Sequence, residues 1–169
     1  ILLERGDYET AAHILDLATI SEISVGAQAN DLRLQDFVKL ETLNYTSSVL
    51  GGSLTVTSTL VSLTTLNLGS GSLLTTLTVS GTNMVTVDTA GVILNTNIVS
   101  NTNLETLNIN HTHQLSQAGT IVKVITNAKL TALDMSSLGM VKEVEITGNS
   151  SLTTFVAPST TVLVQDTAT

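Results

Sequence analysis

The chain has 169 residues, enough for one domain with a sizeable core and too few for two ordinary ones. Six basic residues against fourteen acidic ones give a net charge of −8. Arg5, Arg33, Lys39, Lys123, Lys129 and Lys142 are too few and too scattered for a nucleic-acid track or for attachment to an anionic membrane, and no apolar run approaches the length of a membrane span.

In chain order, the opening ILLERGDYETAAHILDLA carries acids early and lacks the layout of a signal peptide. Residues 1–16 are expected to form a separate N-terminal cap. Asp7 can N-cap a short helix over Tyr8–Asp16 that buries Ala11, Ala12, Ile14 and Leu15, with His13 partly exposed on it. Charge is concentrated at this end: residues 1–41 hold eight acids and three bases. From Thr42 to Val87, and again from Thr89 to Asn103, there is no charged residue.

From residue 17 onward the sequence is repetitive, and the repeat predicts the fold. The unit is apolar-x-x-apolar-x-apolar. It occurs at Leu40/Leu43/Tyr45, Leu63/Leu66/Leu68, Leu74/Leu77/Val79 and Leu104/Leu107/Ile109. It returns at Leu130/Leu133/Met135, Val141/Val144/Ile146 and Leu152/Phe155/Ala157, with a degenerate copy at Met84/Val87. Missing half-steps fall in apolar stretches near Leu50–Leu54, Ile93–Leu94 and Leu115–Val122. The last two apolar positions of each unit are two apart, the strand period, and Thr and Val are abundant around them. Gly or Asn often follows, as at Gly69, Gly81, Asn83, Gly148 and Asn149.

Such a strand is too short to bury its face alone, but stacked copies bury one another. The expected fold is therefore mainly β: a parallel β-solenoid with coils of about 22 residues, each made of two half-repeats of about 11. Two sheets would face each other across a Leu/Val/Ile core, over residues 17–169, with the short helical cap at the N-terminus. The scarcity of aromatics (Tyr8, Tyr45, Phe37, Phe155) suits a narrow aliphatic interior.

The units LTTLNLGSGS, LETLNINHTH and VKEVEITGNSSLTTF resemble leucine-rich repeats of the L-x-x-L-x-L-x-x-N type. They are most similar to the irregular bacterial and receptor-L-domain-like surface forms, over about residues 17–164, with Asn at the ladder position only in some units. The resemblance implies a cell-surface or secreted recognition or scaffold role and no catalytic residues.

Few residues suggest chemistry. With no cysteine, disulfides, thiol catalysis and thiolate metal sites are excluded. His111 and His113 form His-x-His; on a strand both imidazoles face one side, and Asp88 or Asp134 from a neighbouring coil would supply a third metal ligand. Two surface histidines are the simpler expectation. The outward position between the second and third apolar residues reads Asn44, Asn67, Thr78, Asp88, Asn108, Asp134, Glu145, a polar ladder along the stack. In it, Asp134 and Glu145 could pair with Lys123, Lys129 or Lys142, or bind calcium weakly, although a solvated face is expected. Glycoside hydrolysis would need a cleft and aromatic platforms. No Gly-x-Ser-x-Gly elbow occurs, and GSGS at Gly69–Ser72 reads as a solenoid turn rather than a phosphate loop. Sequons begin at Asn44, Asn110 and Asn149, about as many as chance supplies in so Ser/Thr-rich a chain.

No enzymatic activity and no cofactor are expected. The empty charge map leads instead to a non-catalytic extracellular structural protein. It would be a self-assembling subunit of a filament, sheath, surface layer or virion fibre, with Thr64, Thr75, Thr76 and Thr78 as candidate assembly positions. The alternative is a leucine-rich-repeat adhesin or receptor-like module that binds a protein partner. A remote alternative is an ice-binding solenoid, for which the Thr-x-Thr pairs at Thr55/Thr57, Thr57/Thr59 and Thr76/Thr78 would have to recur in every coil.

Overall fold

The computed structural model describes residues 2–3, 22–25, 37–45, 52–68, 74–90, 92–110, 120–139 and 141–158. The expected helix over Tyr8–Asp16, His13 on it and the GSGS turn lie outside these residues. Every element among the described residues is a strand. Two of them, β1 (Leu2–Leu3) and β2 (Glu22–Val25), precede the regular part of the solenoid.

From β3 (Thr42–Tyr45) the chain alternates between two parallel sheets. Sheet A takes β3, β5 (Thr65–Leu68), β7 (Thr86–Asp88), β9 (Thr106–Asn108), β11 (Ala132–Asp134) and β13 (Thr154–Val156), and also holds β1 and β2. Sheet B takes β4 (Gly52–Thr57), β6 (Leu74–Ser80), β8 (Val92–Val99), β10 (Thr120–Ile125) and β12 (Val141–Thr147). Each inner strand pairs with the strand one coil before and one coil after it, and the strands that end each sheet pair on one side. This is the β-solenoid that the repeat predicts.

Register follows the apolar columns. In sheet A, Leu43, Leu66, Val87, Leu107, Leu133 and Phe155 are successive partners. In sheet B the column runs Leu54, Leu77, Thr96, Val122, Val144. A second column there runs Val56, Val79, Ile98, Val124, Ile146. Side chains alternate across a strand, so each column buries one face, and the two sheets close on one shared aliphatic core. Coil length varies with the connections, and that variation keeps the columns aligned: the step from Leu107 to Leu133 is the long one, the step from Val87 to Leu107 a short one.

The two sheets differ more than the repeat suggests. Sheet A strands span three or four residues in the regular part, as expected, whereas those of sheet B span six to eight. Part of the extra length is a bulge at the entry of sheet B. Gly52 pairs with Leu74 and Ser53 with Thr76, which leaves Thr75 as the inserted residue. Such an insertion lets the apolar residue before the bulge and those after it all turn inward. Leu74, Leu77 and Val79 are all buried.

Candidate functional site

Three features of the stack are built precisely enough by backbone geometry to bear on function: a buried amide ladder, two outer faces, and an uncovered end.

The ladder sits where the chain leaves sheet B. There Gly81, Ser100, Thr126 and Gly148 occupy the same place in successive coils, and all four have positive φ, between 56° and 65°. The left-handed residue turns the chain inward, and the next residue (Thr82, Asn101, Asn127, Asn149) enters the stack. Asn127 Oδ1 accepts from both the backbone N and Nδ2 of Asn101, each at 3.1 Å. Asn149 Oδ1 accepts in the same way from Asn127, at 2.8 and 3.2 Å. Each Nδ2 then reaches a carbonyl of the coil before it: Asn101 to Val79, Asn127 to Ile98 and Asn149 to Val124. Thr82 starts the series, donating from N and Oγ1 to Asn101 Oδ1. The ladder satisfies backbone and amide groups that the turn would otherwise bury unpaired. It also engages both ends of the Asn149 amide, so the sequon there is structural in this fold.

Sequence reasoning anticipated a single outward polar ladder. The structure divides it between the two sheets, because alternate half-repeats belong to opposite faces. Asn44, Asn67, Asp88, Asn108 and Asp134 form one column on sheet A. Thr78 and Glu145 lie on sheet B, in a column that reads Thr55, Thr78, Asn97, Lys123, Glu145. On sheet A the column is linked by Asn67 Nδ2 donating to Asn44 Oδ1 at 2.8 Å and by Asn108 Nδ2 donating to Asp88 Oδ2 at 3.4 Å. Beside it runs a second outward column of Thr42, Thr65, Thr86, Thr106, Ala132 and Thr154.

Sheet B presents Ser53, Thr55 and Thr57 against Thr76, Thr78 and Ser80, then Asn95, Asn97 and Val99. Asn95 and Asn97 donate to the hydroxyls of Thr76 and Thr78 at 3.4 and 3.3 Å. The Thr-x-Thr rows are thus confined to two neighbouring coils of one sheet. The corresponding outward pairs Thr65/Asn67 and Thr106/Asn108 belong to the other sheet. The candidate assembly positions divide likewise. Thr76 and Thr78 are half-buried on the outer face of sheet B, Thr75 is half-buried at the bulge, and Thr64 is exposed just before β5 in sheet A.

Charge appears on sheet B only in its last two strands. Lys123 Nζ lies 2.9 Å from Glu145 and 3.3 Å from Glu143. These carboxylates, Glu145 foremost, hold the Lys123 ammonium above the ordinary lysine range. Of the ion pairs considered from sequence, the Glu145–Lys123 pair is present. Asp134 instead accepts from the Ser136 backbone N at 2.8 Å, and hydrogen bonding to Ser136 lowers its carboxyl below the ordinary aspartate value. Asp88 accepts in the same manner from Ala90 N at 2.9 Å. His111 and His113 lie outside the described residues. Among the described residues no group of three or more His, Asp or Glu is placed to hold a metal ion. None of the described residues forms a helix long and apolar enough to cross a membrane.

The two ends of the stack differ. Towards the N-terminus, Phe37, Leu40, Leu43 and Val56 are fully buried. At the C-terminal end Phe155, in the inward column of β13, is 43% exposed. Leu152 and Ile146 are only partly buried there.

No protein-family model, no curated protein and no solved structure matches this chain.

Proposed function

We propose that this protein is a non-catalytic structural subunit that acts outside the cell, or on a cell or virion surface, by packing against copies of itself side to side. The observation that carries this reading is the surface of the coils from β3 to β8. Both outer faces there are in-register rows of Thr, Ser and Asn, and the one charged residue of these strands is Asp88, at the end of β7. A domain that stays single in solution ordinarily carries about a quarter to a third charged residues on its surface. Neutral hydroxyl and amide rows on opposite faces of the same coils suit a subunit with neighbours on two sides.

A leucine-rich-repeat organisation fits the same chain. Val141, Val144, Ile146 and Asn149 match L-x-x-L-x-L-x-x-N, and Asn149 stands in the amide ladder. That supports a recognition module as the second reading. A binding face, however, usually concentrates aromatic residues or arginine. The large apolar side chains exposed among the described residues are Val38, Val61, Val85, Phe155 and Val156; of these only Val156, the partner of Asp134 at the C-terminal end of the stack, continues an outward column.

The test is to charge one face at a time, with Thr86→Lys on sheet A and Thr55→Lys on sheet B. Both side chains are exposed, so the thermal melt should be unchanged while sedimentation shows assembly lost. Assembly that survives both substitutions contradicts packing through these faces.

A further inference from the structure

Among the described residues, the C-terminal end of the solenoid breaks off two hydrogen-bonding series that run through the earlier coils. Among the described residues, β12 is the last strand of sheet B, and its far edge has no neighbour. In the coils before it, the left-handed residue donates its N–H to the next coil: Gly81 to Val99 O, Ser100 to Ile125 O and Thr126 to Thr147 O. The ladder residue after it donates its N–H to the next ladder side chain, as Asn101 does to Asn127 and Asn127 to Asn149. Gly148 and Asn149 are the first in these two series whose acceptor no described residue supplies. The same end exposes Phe155 and leaves Ile146 and Leu152 partly covered. An element that completed this edge would be one more parallel strand with two apolar residues inward, followed by a left-handed residue and a ladder residue.

We propose that this edge is a docking site for residues 160–167 of the same chain, which lie outside the described residues. The sequence there is Thr-Thr-Val-Leu-Val-Gln-Asp-Thr. Its first six residues repeat the pattern of β10, with Thr160, Val162 and Val164 standing where β10 has Thr120, Val122 and Val124. In β10 these three are buried. The same alignment puts Asp166 at the left-handed position held by Thr126, and aspartate is among the residues that tolerate it. It puts Thr167 at the ladder position, which Thr82 already fills in an earlier coil, so that its hydroxyl can accept from Asn149 N–H. The link from Val156 to Thr160 equals the shortest such connection in the stack, that from Asp88 to Val92. Val162 and Val164 would extend the inward columns ending at Val144 and Ile146, and the added strand would lie over Phe155 from the opposite sheet.

Amide exchange in the full chain tests this. Gly148 and Asn149 N–H should exchange at least about a hundredfold more slowly than in an unstructured peptide, as befits hydrogen-bonded strand ends. In Val162→Glu/Val164→Glu they should return to within about tenfold of the free rate, while Thr126 and Asn127 stay protected. Fast exchange in the unaltered chain overturns the proposal, and so does protection that survives the double substitution. A cysteine pair then identifies the occupant, since the chain has no cysteine of its own. Neighbouring parallel strands hold Cα atoms within disulfide range. Glu145→Cys/Leu163→Cys should close within one chain, as Lys123→Cys/Glu145→Cys should between the known neighbours β10 and β12. A disulfide between two chains would assign the edge to a second copy. Free thiols in the first pair, with closure in the second, would leave 160–167 undocked; either result overturns the proposal.

Discussion

Asn127 shows what one residue does in this stack. Its Oδ1 takes two hydrogen bonds from Asn101, and its Nδ2 serves the carbonyls of Ile98 and Ile125 and the side chain of Asn149. Truncation leaves several of these groups buried without partners, each costing about 1–3 kcal/mol. Asn127→Ala should therefore cost about 3–5 kcal/mol in denaturant unfolding, and Asn127→Thr clearly less, because Thr82 fills the same position natively. Equal losses in the two variants would contradict the ladder. The residue before it carries strain: Thr126 is β-branched at φ 56°, where its column mates Gly81 and Gly148 have no Cβ. Thr126→Gly should stabilise by up to about 1 kcal/mol. Gly148→Ala should destabilise, because its Cβ would lie 2.9 Å from Thr126 Oγ1. Asp134 gives a pH signature. Its folded carboxyl is held below the ordinary value, so its contribution is present above the unfolded pKa and is lost as pH falls through the folded one. The stability difference between the unaltered chain and Asp134→Asn should thus hold at neutral pH, begin to shrink as pH falls past about 3.9, the ordinary aspartate value, and vanish only below the lower folded value. A difference unchanged at low pH would contradict the Ser136 interaction.

At the scale of the element, the apolar columns were legible because spacing alone sets them. Leu43, Leu66, Leu107 and Leu133 recur in the sequence with two apolar neighbours each, and they share one column of sheet A, with Val87 between Leu66 and Leu107. Leu66→Ala or Leu107→Ala should cost about 2–5 kcal/mol as core truncations. A neutral thermal melt would show the register to be wrong. Other features were hidden for physical reasons. Thr96 belongs to the inward column of sheet B and is fully buried, yet threonine in a threonine-rich chain reads as surface. The ladder asparagines read as turn residues, which they are; that they also face inward follows from the left-handed residue before them, and φ is not written in a residue name. Its trace was nevertheless present in Gly81-Thr82, Ser100-Asn101, Thr126-Asn127 and Gly148-Asn149, each beginning two residues after an inward apolar residue (Val79, Ile98, Val124, Ile146). The outward ladder was misassigned because the half-repeats of the two sheets look alike, and only strand pairing separates Asn67 from Thr78.

For the whole molecule, the parallel stack has a direction. Its N-terminal core is covered, its C-terminal core is partly open, and its charge thins along the middle coils before returning at Lys123, Glu143 and Glu145. Stacking explains how a chain with so few aromatics holds together, because each coil buries its neighbour rather than itself. It also leaves long flat faces whose chemistry is uniform, and uniform neutral faces are where copies of one chain can meet. Negative-stain microscopy of the purified chain at neutral pH and moderate salt, over a range of concentrations, tests this most directly. Ordered filaments or sheets whose repeat matches side-by-side packing of the solenoid are the predicted result. Monodisperse single particles at every concentration would contradict it.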